Sequence, residues 1–127
     1  MAFGGLGRIG QIHVSVTDLE RAIAFYRDAL GIPFLFQVPG QSMAFFDCDG
    51  VRLYLGRPES PEFRSTAVLY FLVDDIDEAS ATLRDRGVMF EDEPHLIARM
   101  EDHDLWMTAF RDPDDNHLIL MQERRDR

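Results

Sequence analysis

The chain has 127 residues, 46% of them hydrophobic, one cysteine and a formal net charge of −10. That length suits a single domain with one core, and the apolar content is enough to fill it, which excludes a disordered chain. The acidic residues spread through 74–77, 91–93, 101–104 and 112–115 exclude nucleic acid as a partner, because they would repel its phosphates, and one cysteine excludes an internal disulfide.

No apolar stretch is long enough to span a membrane, so no membrane partner is expected. Residues 1–7 are short and Gly-rich, with no basic segment followed by an apolar one. They do not read as a secretory signal, and the expected location is the cytoplasm.

Residues 9–16 alternate, with Ile12, Val14 and Val16 apolar and Gln11, His13 and Ser15 polar. Period two predicts a strand whose two faces meet different surroundings. Thr17 or Asp18 caps the helix that follows, its side chain well placed at a helix N-terminus. Leu19, Ile23, Tyr26 and Leu30 recur at helical spacing, and Ala22 and Phe25 widen the stripe. Gly31 ends the helix and Pro33 prevents its resumption. Residues 34–38 read as a strand, Pro39-Gly40 as a turn and 42–48 as the next strand. Asp49-Gly50 is a hairpin signal, and 51–55 close the unit. Cys48, beside Phe45 and Phe46, reads as a small buried hydrophobe.

Residues 57–65, with Pro58 and Pro61, form a linker, and then the same grammar returns. Residues 68–73 are a strand. Asp74 or Asp75 caps a helix reaching Arg86, with Ile76, Ala79 and Leu83 on one face, and Gly87 ends it as Gly31 ended the first. Residues 95–100 and 105–110 are strands around an acidic loop, 112–116 are a turn, and 117–122 are the last strand. Val16-Thr17-Asp18-Leu19-Glu20 matches Val73-Asp74-Asp75-Ile76-Asp77, and Asp47-Cys48-Asp49-Gly50 matches Asp112-Pro113-Asp114-Asp115. Two copies of a strand, helix, strand, strand, strand unit predict an α+β domain over 1–127. Its modules span about 8–57 and 66–123, and its two half-sheets form a curved, open eight-stranded barrel with helices outside. The concave side is the natural ligand site.

The run His-Val-Ser-Val-Thr-Asp-Leu-Glu-Arg-Ala-Ile-Ala-Phe-Tyr-Arg-Asp-Ala-Leu-Gly from His13 resembles the opening of vicinal oxygen chelate proteins. Tyr-Phe-Leu-Val-Asp-Asp-Ile from Tyr70 resembles the start of their second module, and Phe-Arg-Asp-Pro-Asp-Asp-Asn-His-Leu-Ile from Phe110 their closing hairpin. The resemblance covers nearly the whole chain. It implies the glyoxalase, bleomycin-resistance and dioxygenase superfamily, whose members usually form dimers and whose enzymes hold a divalent metal on the concave face through His, Glu or Gln. Carried onto this chain, the four ligand positions are Gln11, Tyr54, Val68 and Ile119. Two of these are hydrocarbon, a neutral Tyr is a poor ligand and Gln offers one amide oxygen, whereas a catalytic metal takes about three protein ligands. No bound metal or other cofactor is therefore expected. A slip of two residues in the first strand would make His13 the ligand without repairing Val68 or Ile119. A non-standard site built from His13, His95, His103 and His117 remains the alternative.

Alternation turns Gln11, His13, Arg52, Tyr54, Tyr70 and His117 toward the cavity, between apolar walls that include Val68, Leu72, Ile119 and Met121. His95, His103 and Trp106 lie on a predicted hairpin at the mouth. Trp106 serves there as a stacking platform, or else packs in the core behind a charged edge. Asp102 or Asp104 orients His103. The nine residues Gln11, His13, Arg52, Tyr54, Tyr70, His95, His103, Trp106 and His117 are the ligand-binding candidates, and no catalytic residue is assigned. No nucleophile elbow, Gly-rich phosphate loop or zinc motif is present. The expected function is binding of a small, partly aromatic or apolar organic molecule without a metal, by a protein that pairs with itself. The alternatives are a glyoxalase-like lyase, isomerase or dioxygenase, using a divalent ion or acid–base chemistry by His13 or His95 with Tyr54, and an interaction module whose barrel is packed solid.

Overall fold

A computed structural model describes residues 3–58, 60–65 and 67–125. Glu59 in the linker, Thr66 at the start of the second predicted module and Arg127 of the basic tail lie outside the described residues. The alternation of the first segment forms β1 (Gln11–Ser15). Asp18 then accepts the Arg21 N–H, capping α1 (Leu19–Ile23). The helix runs on as a π-helical segment (Ala24–Ala29) and stops at Gly31, whose φ of 75° is open to glycine without strain. Three antiparallel strands follow: β2 (Phe34–Gln37), β3 (Met43–Cys48) and β4 (Val51–Gly56). Between β3 and β4, Asp49 and Gly50 both have positive φ, as a two-residue hairpin turn of the right twist demands. The Asp47 carboxylate accepts the Gly50 N–H at 2.8 Å.

The second half repeats this order after a linker holding one short 3-10 turn (Pro61–Phe63). It comprises β5 (Leu69–Leu72), α2 (Ile76–Asp85), β6 (His95–Arg99), β7 (Asp104–Arg111) and β8 (His117–Arg124). Asp75 caps α2 through the Glu78 N–H, matching Asp18 in the first half. The sheets are topological copies, ordered β1-β4-β3-β2 and β5-β8-β7-β6, and are not joined into a closed barrel. In each, the first strand runs parallel to the last and the other pairs are antiparallel. The architecture is α+β, two four-stranded mixed sheets with helices against one face of each.

Cross-strand partners share a face. Val14, Leu55 and Ala44 stand on the helix side of the first sheet, and Leu118, Leu120 and Phe110 on that of the second, all buried. Burying each such aliphatic or aromatic side chain contributes about 1.5–3 kcal/mol. One core runs through both halves: Phe25 meets Phe110 with ring centroids 6.5 Å apart, and Ile23, Tyr26, Leu83 and Leu118 belong to the same cluster. Cys48 is half-buried at its edge, and burial raises its thiol pKa, which makes it a poor nucleophile.

A polar junction locks the halves together. Asp112 is buried. One of its oxygens accepts the backbone N–H groups of Asp114 and Asn116 at 2.8 and 2.9 Å. The other accepts the Tyr26 hydroxyl at 2.7 Å and the Asn116 amide at 2.8 Å. Asn116 also donates to the Ser15 carbonyl, and the Asp114 carboxylate accepts the Thr17 backbone N–H. The turn between β7 and β8 thus holds both the first helix and the end of β1.

Candidate functional site: the open sheet faces

The faces turned away from the helices carry the residues that could meet a ligand. On the first sheet, register places His13 beside Tyr54 and Tyr54 beside Phe45, with Gln11, Arg52 and Asp47 in the next row. These form an aromatic ladder. Phe36 and Phe45 lie 4.8 Å apart, Phe45 and Tyr54 stack at 5.1 Å with 23° between their planes, and Tyr54 and His13 meet at 4.4 Å. Arg52 sets its guanidinium 5.8 Å from the Phe45 ring centre, within cation–π range. Phe45 and Tyr54, in the middle, are buried, whereas Phe36 is 45% exposed and Gln11 and Arg52 are exposed.

His13 is half-buried and its Nε2 lies 3.0 Å from the Ser15 hydroxyl oxygen, which itself accepts the Ser65 N–H at 2.9 Å. The hydroxyl proton is then free to be donated to the ring, an arrangement that suits neutral imidazole. Burial lowers the His13 pKa from its ordinary 6.5, and the Tyr54 backbone offsets this only in part. A base with a depressed folded-state pKa adds stability that is present above the unfolded value and lost as pH falls below it. His13 should thus remain uncharged at neutral pH, and an NMR titration of the ring Cε1–H should give a midpoint below its ordinary 6.5. A midpoint at or above that value would contradict this assignment.

On the second sheet Tyr70 pairs with Ile119, Leu72 with Met121 and Arg111 with His117. This face lies bare: Tyr70 is 54% and Leu72 67% exposed, with Val68 42% exposed just before β5.

The nine candidate residues are not brought into one cluster. Gln11, His13, Arg52 and Tyr54 share the open face of the first sheet, and Tyr70 and His117 that of the second. His95 shares the latter face through its pairing with Met107 but stands on the far edge strand, exposed, with Nδ1 2.8 Å from the Glu93 carbonyl. His103 sits just before β7, its Nδ1 2.7 Å from Asp102, while Arg125 binds both Asp102 and Glu123. Asp104 pairs instead with Arg99. Of the two places read for Trp106, the structure gives the one against the core. It lies between Leu96 and Gln122 in register with Thr108 and Phe110, on the helix side, packed against the core with Arg124 4.2 Å from its ring centre. Two-residue alternation back from the buried Phe110 puts it there. Phe36 and Phe45 were missed as site residues; counting back from the Asp49-Gly50 turn places Phe45 opposite Tyr54, and that signal could have found it.

The donor set does not fit the superfamily's divalent metal. Its four positions offer the Gln11 amide, a Tyr54 hydroxyl directed to the Arg57 carbonyl at 3.5 Å, and the hydrocarbon side chains of Val68 and Ile119. Neither a hard nor a borderline ion gains enough from one amide oxygen and a neutral phenol to shed its water. The four histidines do not converge, and no three His, Cys, Asp or Glu among the described residues are grouped to hold a metal.

Two repeated βαβββ units, each with its first strand beside its last and a helix on one face of its sheet, define the architectural class. The chain belongs to the Glyoxalase/Bleomycin resistance protein/Dioxygenase superfamily, whose model matches residues 8–120. Uncharacterized protein YraH of Bacillus subtilis (strain 168) is 30% identical over 126 residues, covering 87% of this chain and 94% of that protein. A superfamily member from Sphaerobacter thermophilus DSM 20745 superposes with a TM-score of 0.76 at 27% identity, covering 93% of this chain and 98% of its own. TnmS3, an antibiotic binding protein from Streptomyces sp. CB03234, superposes with a TM-score of 0.74 at 25% identity, covering 95% and 99%. No helix among the described residues is long and apolar enough to cross a membrane.

Proposed function

We propose that this protein binds a small, flat organic molecule against the open sheet faces without a divalent metal, and that it does so as a homodimer in the cytoplasm. The observation carrying this reading is that one sheet face combines a ladder of four aromatic rings with Arg52 and Gln11, while donor-poor side chains stand at the superfamily's ligand positions. The exposed Phe36, held in place by the buried rings of Phe45 and Tyr54 behind it, offers stacking area at little entropic cost, and the exposed Arg52 and Gln11 orient what stacks there. The antibiotic-binding relative is consistent with this use of the fold. The bare row of Val68, Tyr70 and Leu72 supports self-association, because a second copy covering it would remove apolar surface from water.

A second reading, acid–base catalysis, is favoured by one observation: His13, its pKa lowered by burial, packs on Tyr54 and is hydrogen-bonded to Ser15, so a His–Ser pair adjoins the ladder. One experiment separates the two. The purified protein is assayed for metal content and titrated with a panel of aromatic compounds by calorimetry, beside the Arg52→Ala and His13→Gln variants. The binding reading expects no stoichiometric metal, a hit whose affinity falls about tenfold on loss of Arg52, roughly 1.4 kcal/mol, and no turnover of that hit. Stoichiometric metal held by the chain overturns it. Turnover abolished by His13→Gln, with binding retained, transfers the function to catalysis.

A further inference from the structure

A cleft lies on the helix side of the second sheet, away from the aromatic ladder of the first. It occupies about 610 Å³ where the end of the first helix meets α2 and β5, a size within the range of small-molecule sites. Its floor is apolar and belongs to the core: Leu83, Phe110 and Leu120 are buried, and Leu30, Ile32 and Phe71 pack against them half-exposed. Its polar groups are divided by position. Asp74 and Glu78 stand at the N-terminal end of α2. Arg86 stands just past its C-terminal end, where its guanidinium is engaged by the Ala29 carbonyl at 3.0 Å. Ten helical residues separate these ends by about 15 Å.

The two ends differ in what they leave unmet. Among the described residues, neither the Asp74 nor the Glu78 carboxylate has a hydrogen-bond or ion-pair partner. At the α2 N-terminus, Asp75 accepts the Glu78 N–H and the Gln122 side chain accepts the Ile76 N–H at 2.9 Å, so two of the N–H groups that would attract an anion are taken. An apolar trough with unengaged carboxylates at one end, in a chain of net charge −10, complements a molecule with a hydrocarbon body and a positive head. We propose that this cleft is a second binding site, for small apolar amines. The hydrocarbon body lies over Leu30, Ile32, Phe71 and Leu83, and the ammonium sits at the rim between Asp74 and Glu78, still touching water. An apolar carboxylate is disfavoured with its head at that rim, where it would face those two charges.

The proposal is independent of the ladder site and is tested apart from it. The full chain is titrated with phenethylammonium, 2-phenylethanol and 3-phenylpropionate, three ligands of similar body and different head, with methyl resonances followed by NMR. Phenethylammonium should bind at least about tenfold tighter than 3-phenylpropionate, with 2-phenylethanol between them, and should shift the methyls of Leu30, Leu83 and Leu120. The double variant Asp74→Asn with Glu78→Gln should weaken the amine about fivefold or more, on the scale of solvent-exposed ion pairs, while leaving 2-phenylethanol unchanged. Thr82→Trp, an exposed helix position lining the cleft, should block all three by filling the trough. Equal affinities for amine and carboxylate, retention of amine affinity in the double variant, or shifts confined to residues around His13 and Tyr54 would each overturn the proposal.

Discussion

Replacing Asp112 by alanine is expected to destabilise the fold by about 4 kcal/mol, as much as any single side-chain truncation in a domain of this size. Its carboxylate is buried, and four protein donors from three residues converge on it. Removing it strands the Tyr26 hydroxyl away from water and takes one of the two acceptors of the Asn116 amide, and a buried donor without a partner costs its full desolvation. It also frees the turn that holds Asn116 against β1, so the two halves lose their polar lock together. Tyr26→Phe removes one of the four bonds and leaves the carboxylate three donors, so about 2 kcal/mol is expected there. Urea denaturation of both variants measures these losses, and a change below about 1 kcal/mol in Asp112→Ala would show that the junction is not structural. The same bond fixes the alkaline behaviour. Burial, then the charge of Asp112, raise the Tyr26 pKa above its ordinary value of 10.0. The unfolded chain therefore ionises first as pH rises. Tyr26's contribution is complete below about pH 10 and declines above it by about 1.4 kcal/mol per pH unit, a slope that Tyr26→Phe should lack.

That junction shows where sequence reading stops. Local elements were legible because their causes are local. Asp18 and Asp75 cap their helices, and Gly31 and Gly87 end them with positive φ. Asp49-Gly50 turns as its dipeptide requires, and the repeated Val-x-Asp pattern revealed the duplication. Alternation also assigned faces: Val14 and Leu118 to the helices, His13 and Ile119 away from them. The π-helical winding was not legible, since an apolar stripe looks alike in either helix over one turn. Nor was the Tyr26–Asp112 bond, which joins residues 86 apart and depends on how two finished modules pack. The candidate site was legible in its rows but not in its assembly. The candidate residues stand on two sheet faces, with Arg52 of the first and Tyr70 of the second lining one cleft, and a strand pattern fixes which way each side chain points but not which sheet stands opposite. Trp106 illustrates the difference: its residue type left a ligand platform and core packing both open, and its register with Thr108 and Phe110 packs it, half-buried, against the core.

Gly56 connects fold and site most directly, and Gly56→Ala is expected to cost about 3 kcal/mol, at the upper end of overpacking penalties. Its backbone angle is not the reason, for Gly56 is absent from the positive-φ glycines. The reason is space. A methyl group there would overlap the Ser42 carbonyl oxygen and stand 2.7 Å from the Tyr54 ring edge. Ser42 cannot retreat freely, since that carbonyl accepts the Arg57 N–H and the adjoining Met43 is paired with Gly56 across the sheet. Tyr54 cannot swing away without breaking its stack on Phe45 and its contact with His13. Either relaxation damages the open face, so ligand affinity at the ladder should fall together with stability, and the near-UV signal of the stacked rings should change even where the variant remains folded. Gly10→Ala is the matched control: it precedes the same sheet at β1, has no atom within 4 Å of a built methyl, and should stay within about 0.5 kcal/mol of the parent. If Gly56→Ala behaved like Gly10→Ala, the close approach of β4 to the Ser42 backbone, and with it the fixed position of Tyr54 in the ladder, would be wrong.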